Sequence, residues 1–367
     1  MGEVLFMAVY LGIILILYVS AFVNYGKKTK QVYWAYVAVL AVISGIRYYV
    51  GTDYGIQVNY YNWTVEGWTK DWLEVGFRAY INVVDRVFGS FQMFIFIASV
   101  FVVFSFGYGI YKNVEEKYWF FTLGLFVTST IYFATMNLER QYIAIAFLIH
   151  AFERLKNARY VQTAALTLLA ISFHSSAICF LAFYLVYLGS RIIKKKDIYA
   201  GLNILMMISV AGIVVDIRSF IKLIADYIIP ERYMGYLSSR FFVARDWDSV
   251  LKFIVPNIIW FLWFFWQRNE EKKTPMHTYM IGFCIWLVIN NFFYGVNVFL
   301  RIGMYFEWFL LYAIPQIVDM GRDAKTRASF KAGFLLYFLA LTSYSILYQK
   351  GHGVLPYQTF FSFGNYW

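Results

Sequence analysis

Charge is what this chain has least of. Asp, Glu, Lys and Arg make up 14% of its 367 residues, where soluble domains carry about 25%. Hydrophobic residues make up 61% and Phe, Tyr and Trp alone 22%, which excludes a soluble globular protein. The apolar runs are about twenty residues long rather than ten-residue alternations, so membrane helices are expected and not a barrel. Only two cysteines occur, Cys179 and Cys284, both inside apolar runs. They offer no disulfide framework and read as small packing residues. No Lys or Arg precedes the first apolar run, MGEVLFMAVYLGIILILYVSAFV. That run lacks the basic region of a secretory signal and is expected to be retained as a helix. Phe6 breaks the myristoylation pattern. There is no Gly-rich phosphate loop, no GxSxG and no HExxH. The four histidines, His150, His174, His277 and His352, do not cluster, so no metal site and no cofactor are expected. No internal repeat of the transporter kind is visible.

What is there is a succession of apolar spans. Twelve are predicted, near 3–23, 32–46, 91–111, 118–135, 138–153, 160–173, 176–189, 198–215, 251–267, 276–294, 299–318 and 330–348. The expected fold class is all-α: a polytopic integral membrane protein of about 12 transmembrane helices, one membrane domain over 1–367, with two long extracytoplasmic loops. Alternate connections collect the lysines. KKTK (27–30), KNVEEK (112–117), RLKNAR (154–159), RIIKKK (191–196), RNEEKK (268–273) and GRDAKTRASFK (321–331) share one side and hold 19 of the 32 Lys and Arg. That side is expected to be cytoplasmic, with both termini outside.

Splitting the cations sharpens the asymmetry. Four of 17 lysines lie on the outer side, but nine of 15 arginines do, among them Arg47, Arg140 and Arg301. Lysine is a hydrated point charge, whereas arginine is a planar fork suited to phosphate and carboxylate. An arginine-rich outer face points to a bound anionic substrate, or else to arginines paired with outer acids. The first outer loop, 47–90, contains DWLEVGFRAYINVVDRVFG, whose apolar spacing predicts an amphipathic helix on the membrane domain. The second, 217–250, is long, rich in Tyr, Phe and Arg, and broken by Pro230 and Gly235, as expected of a lid. Asp246-Trp247-Asp248 has the DxD spacing of metal-dependent glycosyltransferases, but faces outside, where nucleotide sugars are absent.

Four places could carry chemistry. Ser44–Tyr61 leaves the membrane with Arg47, Gly51 and Asp53 among tyrosines, either as a functional pair of opposite charges or as an interfacial anchor. Asn137, Arg140, Gln141 and Ala144 fall on one helical stripe at the outer start of a span. Arg140 at a helix N-terminus makes a phosphate or pyrophosphate site; the other reading is a cap, with Asn137 as N-cap. Arg301, Tyr305 and Trp308 share a face, with Asn290, Asn291 and Asn297 just before it. Amides and rings of this kind bind sugars, but aromatic belts occur in any membrane protein. His174 lies between two short apolar stretches of about fourteen residues, roughly 21 Å of helix against a ~30 Å core. The FHSS turn is therefore expected at membrane depth, lining a wet cavity or buried in protein. His174 reads as a general base or as a packing residue.

RYYVGTDYGIQVNYY (47–61), NLERQYIAIAF (137–147), SFHSSAI (172–178), RIGMYFEWF (301–309) and VLPY (354–357) together resemble the EpsG family of bacterial exopolysaccharide polymerases, themselves similar to Wzy-type polymerases. The resemblance implies a GT-C-like glycosyltransferase of the cytoplasmic (inner) membrane, joining undecaprenyl-pyrophosphate-linked repeat units with its active site outside. It implies a lipid-linked glycan donor and acceptor, membrane lipid, and a flippase and chain-length regulator as partners, and no nucleic acid. It maps the family's motif positions onto Arg47, Asp53, Arg140, His174 and Arg301. The substrate-binding set is then Arg47, Asn137, Arg140, Gln141, Arg301, Tyr305 and Asn291, with His174 or Asp53 as the base. Two other classes compete. A lipid-linked-oligosaccharide flippase should show two-fold internal symmetry, and a membrane acyltransferase should pair its intramembrane His with Asp or Asn, where 165–185 offers only serines.

Overall fold

Apolar sequence away from water must satisfy its own backbone, and a helix does so within one segment. The computed structural model describes residues 2–69, 73–214, 247–266, 274–293 and 296–362. Among these, all regular structure is helical apart from isolated bridge residues, with an antiparallel bridge between Arg47 and Thr359. The helices are α1 (Gly2–Ser20), α2 (Thr29–Gly45), α3 (Tyr54–Val65), α4 (Val75–Phe88), α5 (Phe91–Asn113), α6 (Trp119–Thr128), α7 (Ile131–Asn137), α8 (Glu139–Lys156), α9 (Tyr160–Phe173), α10 (Leu181–Gly189), α11 (Lys195–Val214), α12 (Trp247–Trp266), α13 (Thr274–Phe293), α14 (Asn297–Glu307), α15 (Leu310–Asp319) and α16 (Ala324–Ser343). Of the second outer loop, 217–246 lies outside the described residues, including the expected lid, Pro230 and Gly235.

Among the described residues, two helical stretches are by length and composition long and apolar enough to cross a membrane, Phe91–Asn113 and Ala324–Tyr348. A third candidate is a bent pair, Glu116–Thr128 with Ile131–Asn137, at 51°. The other apolar helices, such as Tyr160–Phe173 and Thr278–Phe293, are shorter. Helical segments thus lie where apolar spans were expected, and two of those spans are broken. Between α6 and α7 the chain turns at Thr130, which takes a left-handed φ of 69°, rare for a β-branched residue. Non-helical backbone at such a place needs partners. Here the Thr342 hydroxyl donates to the Thr128 carbonyl. The stretch 299–318 breaks at Trp308 and Phe309, between α14 and α15.

The chain divides into two compact units, residues 1–178 with 321–367, and residues 179–320. In the first, α2 packs on α5, α5 on α8, and α8 on α9, while α1, α6 and α16 pack together. The Tyr33 hydroxyl of α2 donates to the Gly107 carbonyl of α5 at 2.7 Å. The first outer loop folds into α3 and α4. Helix α4 buries Phe77, Ile81 and Val84 and exposes Val83 and Val87. It crosses the end of α9 so closely that a Cβ on Gly76 would lie 2.8 Å from the Ser172 carbonyl oxygen.

Residues 351–360 run back as a strap along 46–52. Tyr48 N–H donates to the Gln358 carbonyl (2.9 Å), Gly51 N–H to Gly353 (2.9 Å), Thr52 N–H to His352 (3.0 Å), and Phe360 N–H to Ile46 (3.2 Å). The Tyr357 hydroxyl donates to the Ile43 carbonyl at 2.7 Å. The GTD and VLPY segments are thereby one structure. Gly51 lies between the strap and α7 with φ 111°, and a Cβ there would fall 2.9 Å from the Met136 carbonyl oxygen, so only glycine fits.

In the second unit, α13 packs on α11, α14 and α15. Asn257 of α12 and Asn291 of α13 exchange two amide hydrogen bonds, each 3.0 Å, and Asn291 also donates to Ser209 of α11 at 3.0 Å.

Candidate functional site

The polar residues singled out in the first unit gather where α3, α4, α7, α8 and the end of α9 meet. They form two layers, and α8 supplies both. A helix turns about 100° per residue, so the neighbours Glu139 and Arg140 face different directions.

The inner layer is built on Arg47, which is 1% exposed. Its guanidinium donates to the Ser44 carbonyl and the Ser99 hydroxyl, each at 2.6 Å, and pairs with Glu139 at 3.5 Å. Glu139 is 2% exposed. Arg47 Nε and Glu139 Oε1 have no partner, so the pair is close but incompletely satisfied. Gln92 secures the turn from the other side, its amide donating to the Gly45 and Arg47 carbonyls at 2.8 and 3.2 Å.

Two residues before Glu139, Asn137 bonds the Thr52–Asp53 turn. It is the last residue of α7, and Leu138, with φ −98° and ψ 58°, separates it from α8. The expected stripe Asn137–Arg140–Gln141–Ala144 therefore does not run along one helix. Asn137 Oδ1 accepts from the Thr52 hydroxyl at 2.7 Å and from the Asp53 N–H at 2.8 Å. Gln57 donates to the Asn137 carbonyl at 3.3 Å. Asp53 stands at the N-cap of α3 and is half-buried, and Gln141 is buried in α8.

The outer layer is built on Arg140, whose side chain is 22% exposed. It lies over the Tyr60 ring at 4.9 Å and the Phe77 ring at 5.8 Å. One guanidinium nitrogen donates to Glu74 Oε2 at 2.7 Å. The other Glu74 oxygen accepts the Ser175 N–H at 3.1 Å. Glu74 thus ties Arg140 to the residue directly after His174. His174 ends α9 with extended backbone, is half-buried, and meets the Ser176 hydroxyl through Nδ1 at 2.6 Å. Next to this, Tyr61 of α3 donates to Asp85 of α4 at 2.7 Å. Burial and the Asp85 carboxylate hold that phenol above its ordinary pKa.

The structure therefore brings Arg140 and the His174 turn together, and pairs Arg47 with Glu139 and Asn137 with the Thr52–Asp53 turn. Glu74, which links the outer pair, escaped the sequence reading. Its signal was a carboxylate immediately before an amphipathic helix, on the side with the arginine excess. Metal-binding groups of three or more His, Cys, Asp or Glu are absent among the described residues.

In the second unit, Arg301 of α14 is exposed. Tyr305 and Asn291 are 0% exposed and Trp308 is 1%. Trp308 Nε1 donates to the Tyr305 carbonyl at 2.8 Å, and Asn290 donates to the Trp286 carbonyl at 2.7 Å. The amide of Asn291 is committed to Asn257 and Ser209. It ties α13 to α11 and α12 from within.

Compared with known families, residues 31–359 match the model of the EpsG family. No curated protein and no solved structure matches the chain. The match spans nearly the whole sequence, and the chain belongs to the EpsG family. With its apolar helices, that membership supports a membrane protein of the polysaccharide-polymerase type.

Proposed function

We propose that this EpsG-family chain is a glycosyltransferase that joins undecaprenyl-pyrophosphate-linked repeat units at the outer face of the cytoplasmic membrane. About twelve spans of a GT-C-like fold would hold it there, several of them short or broken. The observation that carries the reading is the single carboxylate, Glu74, that joins Arg140 to the His174 turn. A fork-shaped cation and a potential base are thereby held on one side of the first unit.

In this reaction an acceptor sugar hydroxyl attacks the anomeric carbon of the donor glycan. The bond from that carbon to the pyrophosphate oxygen breaks, and undecaprenyl pyrophosphate leaves with the electron pair. The leaving group needs charge stabilisation more than an acid, and a preorganised guanidinium supplies it. Arg140 is only partly buried and already holds an anion, so a phosphate can take the place of Glu74 on it. His174 takes the acceptor proton. The competent ring carries its own proton on Nδ1, donated to Ser176, and accepts at Nε2. Asp53, at the N-cap of α3, is the fallback base. Arg301 belongs to the second unit. Lipid tails would lie against the apolar helices.

The test is chain extension by the purified protein on a lipid-linked repeat unit. His174→Gln should bind the substrate and fail to extend it. Extension at the wild-type rate would remove His174 from the chemistry, and Asp53→Asn would then be the variant to fail. Orientation rests on the lysine bias. A cysteine introduced at 195 should stay unlabelled by an impermeant reagent in intact cells, and labelling there would overturn the orientation.

A further inference from the structure

Arg140 lies in the first turn of α8, and sixteen residues along, roughly 24 Å at the helical rise, Lys156 closes it. At that far end a cavity of about 470 Å³ lies between the last turns of α5 and α8 and the start of α9. Four cations line it: Lys112, Arg154, Lys156 and Arg159. It has one carboxylate, Glu153, which is 7% exposed and already engaged. Glu153 accepts from Lys156 Nζ at 2.9 Å and from Asn113 Nδ2 at 2.6 Å. That neutralises one cation and leaves Lys112, Arg154 and Arg159 without a carboxylate partner among the described residues. Lys112 is held over the rings of Tyr108 and Tyr111, at 5.8 and 5.6 Å. Arg159 stands at the N-cap of α9, whose dipole adds positive potential.

Three unmatched cations around one cavity repel each other, and a bound anion relieves them. Two of the three are arginines, whose forks match phosphate oxygens. We infer that this cavity is a binding site for a phosphate group, separate from the outer site and on the side of the lysine-rich connections. An acidic phospholipid headgroup and a small soluble phosphate share that chemistry.

The experiment follows acylation of Lys112 by mass spectrometry in the full-length protein. One arm uses neutral detergent with inorganic phosphate. The other uses nanodiscs of phosphatidylcholine with or without phosphatidylglycerol. Phosphate should protect Lys112, and Arg159→Gln should raise the half-protecting concentration about 10-fold, the usual worth of one charge-assisted hydrogen bond. Arg159 is exposed and unpartnered, so this variant keeps the fold. Arg154→Gln with Arg159→Gln should raise it about 100-fold, while Arg140→Gln should leave it unchanged. Protection in phosphatidylglycerol nanodiscs without added phosphate identifies a headgroup as the ligand, and protection only with added phosphate identifies a soluble one. No protection in either arm, or equal protection in the double variant, overturns the inference.

Discussion

Two consecutive residues of α8 make two arginine–carboxylate pairs of opposite character. Glu139 faces inward to Arg47, with both side chains almost wholly excluded from solvent and 3.5 Å apart. Arg140 faces outward to Glu74 at 2.7 Å, with 22% and 15% of the side chains exposed. The difference lies in what each partner can do if the other leaves. In the inner pair, water cannot replace a lost partner, and an unmatched charge stays buried at a cost of several kcal/mol. In the outer pair, water or another anion can step in. Chemical identity thus says little about an arginine's role, and access decides it. The inner pair holds the turn after α2 against α5 and α8, while the outer pair is exchangeable.

The contrast can be broken at four points. The largest effect belongs to Glu139→Ala, which strands Arg47. It should destabilise the protein by about 3–5 kcal/mol, read as loss of folded, detergent-stable protein. Near-normal stability would mean that water reaches the inner layer. Next is His174→Gln, which should cut chain extension by roughly 100-fold or more while leaving thermal stability within about 0.5 kcal/mol. A parallel fall in stability would return His174 to a packing role. Third, Arg140→Lys keeps charge but loses the fork. Extension should fall about 10-fold with the protein level unchanged, and an unaffected rate would show that Arg140 only balances Glu74. The smallest effect is that of Tyr357→Phe, which removes one hydrogen bond to Ile43. It should cost about 1 kcal/mol, measured as a lowered unfolding midpoint.

Helix positions were legible in the sequence because apolar runs of this length leave the backbone no other choice. The turn at His174 was legible for the same reason, since fourteen residues on either side are too few to span. The breaks were not. No glycine or proline marks the left-handed turn at Thr130, and the Thr128 carbonyl just before it finds its partner in Thr342 of α16, some two hundred residues later. A second break, at Leu138, separates Asn137 from Arg140, so a stripe read at helical spacing resolves into contacts with two different layers. Asn291 shows another limit. A buried amide and a sugar-binding amide have the same letter, and only the reciprocal bonds to Asn257 tell them apart. Glu74 needed the fold, because its partners Arg140 and Ser175 come from distant segments.

The strap along 46–52 carries a consequence for biosynthesis. The Tyr357 hydroxyl and the Ile43 carbonyl are 314 residues apart in sequence. On a ribosome, the segment holding Arg47, Gly51 and Asp53 emerges early and must wait, its N–H groups unmatched, until nearly all the remaining chain has been made and inserted. A nascent chain released before residue 351 would have its helices but not this edge. Residues 46–52 would then lack the bonds that the strap supplies, so products of premature termination should be less stable than the full chain.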